Sequence, residues 1–307
     1  MKRLLVFRLS ALGDVIHTLP AVAALRERLP QTRIEWVVEA PYRELVELVG
    51  GVDAIPVRLK KWSKSLVASR TDMMAAARAM RGADAAIDFQ GLIKSGVLMG
   101  LSRAPLRYGF APNALKEKQA AWFSNRRIQV DTSAHVIDQN LQLAAGVAGG
   151  AQGTLHWDRF LDGAGLGAFA NTVVLLPGAG KPNKLWPVER FRELAQRIGP
   201  AALAVWGPGE KELADAIGAR VAPPTNLRQL AAILAQARAV IGADTGPLHL
   251  AAALGTPAVG LFGPTNPKRN GPYGQLEHCI NHFATTKLME SISVEEVVKM
   301  LEQVLPE

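Results

Sequence analysis

The sequence alternates short, almost wholly apolar runs with amphipathic stretches, and it does so twice. "RLLVFRL" (3–9), "RIEWVVE" (33–39) and "ADAAIDFQG" (83–91) read as strands, with helical periodicity in "VIHTLPAVAALRERL" (15–29) and "YRELVELVG" (42–50). Strands this apolar are covered on both faces, and helices between them supply that cover, so the pattern predicts a doubly wound parallel sheet. The small, glycine-rich "AAGVAGGAQG" (144–153) reads as a linker, after which the pattern restarts. "TVVLLPG" (172–178), "AALAVWG" (201–207), "AVIGAD" (239–244) and "PAVGLFG" (257–263) are the strands of the second half. Helices are predicted over 187–198, 210–218, 227–237 and 248–255. A last one, over 293–305, opens with a Ser293/Glu296 capping box. The expected fold is therefore α/β, with two Rossmann-like domains facing across a cleft, 1–153 and 154–290, followed by a terminal helix in 291–307.

A chain of 307 residues suits two such domains. The single cysteine, Cys279, excludes an intramolecular disulfide framework and fits a reducing cytoplasm, and no zinc-ligand spacing appears. The start has basic residues and then leucines, but Arg8 interrupts the run and Asp14 follows it, unlike a signal peptide. No apolar run reaches the roughly 18–20 residues of a membrane span, so a soluble cytoplasmic protein is expected. Charge is uneven. Residues 55–127 hold fourteen Lys and Arg against four acids, an excess larger than the net +8 of the whole chain. Such a stretch is either a solvated face or a surface for a polyanion: nucleic acid, an anionic membrane or a phosphorylated substrate.

Ligands of open α/β sheets bind at the carboxyl ends of the strands, so the polar residues there carry the information. In "RLSALGD" (8–14), Asp14 opens a helix, where a carboxylate serves as a cap or as a general base; the absence of G-x-G-x-x-G argues against a nicotinamide enzyme. In "PGAGKPNKLWP" (177–187), glycines and Lys184 before a helix start suit a diphosphate, although the Walker spacing is missing. Glu210, after a glycine-proline turn, either accepts from a ribose diol or adenine amine or complements a helix dipole. "GADTGPLHL" places Asp244, Thr245, Gly246 and His249 around a helix start. An Asx-type cap with a core histidine and a phosphate-and-sugar site are both open readings of it. One acid in the first half and three anion- or sugar-suited loops in the second make a glycosyl-transfer layout, a nucleotide-diphosphate donor behind and an anionic acceptor in front.

"FRLSALGDVIHTLPAVAALRERLP", "AIDFQGLIKSGVL" and "GADTGPLHLAAALGTPAVGLFGPTNP" resemble, in order and over nearly the whole chain, the bacterial ADP-heptose:lipopolysaccharide heptosyltransferases. The basic "IPVRLKKWSKS" is most similar to the heptosyltransferase I branch, which adds the first heptose to the Kdo region of lipid A. The loop "PGAGKPNK" departs from that branch and is nearer the second heptosyltransferase. The resemblance implies a glycosyltransferase-B fold whose last helix crosses back to the first domain. It implies ADP-L-glycero-D-manno-heptose as donor, Kdo2-lipid A as acceptor at the cytoplasmic face of the inner membrane, inversion at the anomeric carbon, and no obligatory metal or cofactor. By it, Asp14 is the catalytic base. Lys184, Glu210, Asp244, Thr245, Gly246 and His249 hold the donor, and Lys60, Lys61, Lys64, Gln90 and Lys94 the acceptor. The rivals are the second heptosyltransferase and, from another class, a nucleic-acid-binding α/β protein. The latter is disfavoured because Trp62 and Phe89 are too few to interleave with the cations and no binding motif appears. A periplasmic-type binding protein would share the architecture but needs a signal peptide.

Overall fold

The structure, a computed structural model, describes residues 1–65, 67–150, 155, 161 and 169–305. The chain forms two units, Met1–Phe160 and Leu161–Glu307; the expected boundary at 153/154 lies outside the described residues.

The first unit is a parallel sheet of β1 (Arg3–Phe7), β2 (Arg33–Glu39), β3 (Val52–Val57), β4 (Ala85–Asp88), β5 (Leu106–Phe110) and β6 (Arg126–Ile128), in the order β3-β2-β1-β4-β5-β6. Leu4, Leu5, Val6 and Phe7 are fully buried, as the unbroken apolar run of β1 requires. Its helices are α1 (Leu12–Ile16), α2 (Leu19–Arg28), α3 (Leu59–Lys64), α4 (Arg70–Met80), α5 (Ile93–Ser102) and α6 (Val136–Ala148). Right-handed crossovers place the connections that step from β3 to β4, β5 and β6 on one face of the sheet. These are α4, α5 and the 3-10 segment Lys118–Phe123, which touch in that order. Connections stepping the other way lie on the opposite face, where α2 meets α6.

Two local expectations are corrected. The helix predicted over 15–29 is two helices, because Pro20 has no N–H to donate and so sits in the first turn of α2. The presumed linker 144–153 begins with the last five residues of α6, and Ala144 is fully buried in the core.

The second unit repeats the plan with β7 (Val173–Leu176), β8 (Ala202–Ala204), β9 (Arg220–Val221), β10 (Ala239–Ala243), β11 (Ala258–Phe262) and β12 (Cys279–Asn281), ordered β12-β11-β10-β7-β8-β9 and parallel throughout. Its helices are α7 (Val188–Ile198), α8 (Lys211–Ala216), α9 (Leu227–Gln236), α10 (Gly246–Ala253), α11 (Pro267–Asn270) and α12 (Val294–Val304). The predicted capping box closes the start of α12: the Glu296 N–H donates to Ser293 Oγ at 3.2 Å, and the Ser293 N–H to Glu296 Oε2 at 2.8 Å. The resemblance implies that residues 291–307 return to the first domain; within its own unit, α12 buries Val294, Val297 and Leu301 in one core with Phe191 and Leu194 of α7. Among the described residues no helix is long and apolar enough to cross a membrane.

In each sheet the strand order reverses at one place, between β1 and β4 and between β7 and β10. Those switch points are where crossovers leave in opposite directions and open a crevice at the strand ends.

Candidate active site

The β1/β4 switch point is built from the loop after each strand. Gln90, two residues past β4, reaches back to β1: its Oε1 accepts the Leu9 N–H at 2.9 Å, and its Nε2 donates to Ser10 O at 2.9 Å. Asp88, fully enclosed, anchors that turn by accepting from the N–H groups of Gln90 (2.8 Å) and Gly91 (3.2 Å) and from Ser95 Oγ (2.8 Å). Burial outweighs these bonds and pushes its carboxyl up to about 6. Arg8 is buried, donates to Phe89 O, and pairs through Nη2 with Asp14 Oδ1 at 2.6 Å. Asp14 Oδ2 accepts the Ala11 N–H at 3.2 Å, so the carboxylate does cap α1, yet its side chain remains 45% exposed. Capping and an open catalytic position are compatible here. Lys94 Nζ stands 3.5 Å from Ser10 Oγ. Asp14, Gln90 and Lys94 are thus gathered around one loop.

Lys60, Lys61 and Lys64 are exposed on α3. Glu39, at the end of β2, binds the start of that helix through the Leu59 N–H; its carboxyl is raised by burial and partly restored by that bond and by Lys94 and Lys60. Tyr42 is raised by burial and then by the charges of Glu39 and Asp14. Of the residues implied for the acceptor, Lys60 and Lys94 act on Glu39, and Glu39 and Asp14 both act on Tyr42, which links these groups in one electrostatic neighbourhood. Sequence reasoning missed Glu39, Tyr42 and Arg8, although Glu39 satisfies the rule applied to the others, a polar residue at the end of an apolar strand.

At the β7/β10 switch point, Lys184 from the loop after β7 meets Asp244 from the end of β10, with Nζ–Oδ2 at 2.6 Å and a second, longer bond to Asp244 O at 3.3 Å. His249 Nε2 lies 3.0 Å from Asp244 Oδ1. Burial pushes the Asp244 carboxyl up, but His249 and Lys184 together outweigh it and hold it well below the usual carboxylate range. The capping expectation fails: Thr245 is the N-cap of α10 without a side-chain bond, and Asp244 spends both oxygens on Lys184 and His249. The Thr245 hydroxyl is buried and makes no hydrogen bond. Glu210 turns back from the start of α8, accepts the Gly207 N–H at 2.8 Å, and lies against Gly178. A Cβ on Gly178 would stand 2.0 Å from the Glu210 carboxyl carbon, so only glycine admits this approach. Among the described residues no group of three or more His, Cys, Asp or Glu is placed to hold a metal ion.

The family profile of glycosyltransferase family 9 (heptosyltransferase) matches residues 73–298. The chain belongs to that family. This glycosyltransferase is 34% identical to lipopolysaccharide heptosyltransferase 1 of Pseudomonas aeruginosa over 293 residues, 90% of this chain and 82% of the relative. Its fold superposes on E. coli heptosyltransferase WaaC with ADP at a TM-score of 0.87, with 28% identity, covering 98% of this chain and 99% of WaaC. The WaaC structure with ADP-2-deoxy-2-fluoro heptose gives a TM-score of 0.83 at 27% identity, covering 98% and 99%. The expected glycosyltransferase-B class, of two doubly wound units, is what these similarities support.

Proposed function

We propose that this family 9 enzyme transfers L-glycero-D-manno-heptose from ADP-heptose to the Kdo region of Kdo2-lipid A, with inversion, in building the lipopolysaccharide inner core at the cytoplasmic face of the inner membrane. The observation that carries the reading is the Lys184–Asp244–His249 cluster at the β7/β10 switch point. An ammonium has three donors, and Lys184 spends two on Asp244, leaving one for a diphosphate oxygen. The Thr245 hydroxyl and the N–H groups that start α10 are suited to the same anion. Asp244 positions the lysine, and His249 in turn positions Asp244. Glu210, shaped by the Gly178 approach, accepts from the hydroxyl or amine groups of the nucleoside.

In the first unit Asp14 takes the proton of the attacking Kdo hydroxyl while that oxygen bonds to the anomeric carbon and the bond to the diphosphate breaks. Arg8 fixes the direction of the carboxylate. General-base help of this kind contributes roughly 10²–10⁴-fold. Lys184 stabilises the negative charge that grows on departing ADP. Lys60, Lys61, Lys64 and Lys94, with Gln90, take the acceptor's anionic groups.

A second reading keeps donor and mechanism but places the transfer one heptose later; the loop "PGAGKPNK", with no hydroxyl side chain, favours it. Proton NMR of the purified product tests the stereochemistry common to both. Inversion at the new linkage is expected, and retention would remove Asp14 from the role of base.

A further inference from the structure

The outer face of the α4–α5 layer has the wrong chemistry for water. Ile93, Val97 and Leu101 recur every fourth residue on α5 and are 42%, 43% and 50% exposed. The other exposed positions of that helix are Lys94 and Gly100, so its solvent side carries one charge among aliphatic groups. The outer face of a helix in a soluble domain is ordinarily polar. The inner side of α5 is fully used, with Leu98 and Met99 in the core beneath. On one flank Met74 of α4 adds a further exposed apolar side chain. On the other, the 3-10 segment crosses α5 where Gly96 lets the Phe123 ring approach; a Cβ there would stand 2.4 Å from Phe123 Cδ2. Trp122, one residue before, is 76% exposed.

Cations surround this patch: Arg70 and Arg78 on α4, Arg103 just past α5, and Lys116 and Lys118 at the 3-10 segment, all exposed. Four acids stand against fourteen Lys and Arg in the stretch, too few to neutralise them. Asp88 is buried, and Asp84 accepts the backbone N–H groups of Lys2 and Arg3. Asp72 is held by Trp62 and Arg58, and Glu117 accepts the Ile93 N–H at 2.7 Å.

We propose that this face, from Met74 across the α5 stripe to Trp122, seats the enzyme on an anionic lipid surface. Aliphatic side chains enter the acyl boundary, the indole lies at headgroup level, and the cations around them face lipid phosphates. Nucleic acid would use the cations and Trp122, but it has no use for a valine and a leucine, which stack no bases. The first turn of α5 carries Lys94 beside Ser10, so the same helix runs from the seat to the strand-end loop of Asp14. The proposal extends the reading of a lipid-borne acceptor, and its test contains neither donor nor acceptor, so the two fail separately.

Flotation of the full chain with vesicles of phosphatidylethanolamine and phosphatidylglycerol, and with phosphatidylcholine alone, measures the partition. The wild type is expected to float with the anionic vesicles and, more weakly, with the neutral ones. Val97→Ser/Leu101→Ser/Trp122→Ser lowers partition into anionic vesicles by about tenfold or more. Lys116→Ala/Lys118→Ala weakens anionic binding at low salt and leaves neutral binding unchanged. Circular dichroism and urea unfolding, unchanged in the variants, verify the fold, and Leu101→Ser alone serves if the triple variant does not express. Equal flotation of wild type and variants would overturn the proposal. So would displacement of the wild type from vesicles by a single-stranded oligonucleotide at stoichiometric amounts, or a wild-type dimer that the triple variant dissociates without change in flotation.

Discussion

Lys184 and Asp244 form an ion pair of 2.6 Å between the loop after β7 and the end of β10 at the β7/β10 switch point, sixty residues apart in the chain. Both side chains are mostly withdrawn from water, and His249 fixes the other carboxylate oxygen at 3.0 Å. An unaccompanied charge at such depth is costly, so the cluster holds the geometry of the loop after β7; under the proposed function it also offers a cation to the donor.

Asp244→Ala leaves Lys184 without its counter-charge and is expected to cost the second unit about 3–5 kcal/mol. The folded carboxyl is held below its unfolded value, so its contribution is fully present above the ordinary carboxylate range and lost as pH falls through it. Urea unfolding between roughly pH 3 and 7 should show the wild type losing stability in acid more steeply than Asp244→Ala. Parallel curves for the two would contradict the assignment.

Asp88 has the opposite sign. Its folded carboxyl, at about 6, lies above the unfolded value, so stability is greatest below the unfolded value and declines as pH rises through 6. Asp88→Asn keeps an acceptor for the Gln90 and Gly91 N–H groups, and its amide can donate to Ser95 Oγ, which also bonds Leu92 O at 2.9 Å. The variant should gain on the order of 2–3 kcal/mol over wild type between about pH 4 and 7, a difference that denaturant titration at the two pH values reads directly.

Gly178→Ala forces the Glu210 carboxylate off its present position, since the added Cβ would overlap it. If that carboxylate holds the nucleoside, Gly178→Ala and Glu210→Ala each weaken ADP binding by roughly tenfold, and the double variant is no weaker than either. Calorimetric titration with ADP gives the three constants, and additive losses would separate Gly178 from Glu210.

Four of the six strands of the second unit are legible in the sequence; the short edge strands β9 and β12 are not. Strands such as β10 and β11 are apolar on both faces, and helix starts carry Ser293 or Asn226 caps that are local in sequence. In the first unit, β3, β5 and β6 escape the sequence reading: Asp53 and Pro56 break the apolar pattern of β3, which an edge strand tolerates, and arginines interrupt β5 and β6. Asp14, Lys184, Glu210 and Asp244 stand out in the sequence because strand ends can be read from it, whereas Gln90 and Lys94 rest on the resemblance, and Glu39, Tyr42 and Arg8 escape both. The pairing of Lys184 with Asp244 and of Arg8 with Asp14 does not stand out, since it depends on strand order. Trp62, weighed as a possible stacking residue, is a core side chain bonded to Asp72; Trp122, unremarked in the sequence, is the exposed one.

Asp14→Asn preserves the acceptance of the Ala11 N–H while removing the proposed base. Its kcat should fall roughly 10²–10⁴-fold with both KM values little changed. Arg8→Lys, which cannot hold Phe89 O and Asp14 with two separate nitrogens, should lower kcat about tenfold at unchanged donor KM, as a positioning residue does. A change confined to KM in either variant would place these residues in binding.

ADP release from ADP-heptose, followed with Kdo2-lipid A and with its monoheptosylated form as alternative acceptors, tests the assignment most directly. Rapid release is predicted with the heptose-free acceptor and little with the heptosylated one. Release only with the heptosylated acceptor would assign the enzyme to the later transfer, and release with neither would contradict the donor and acceptor together.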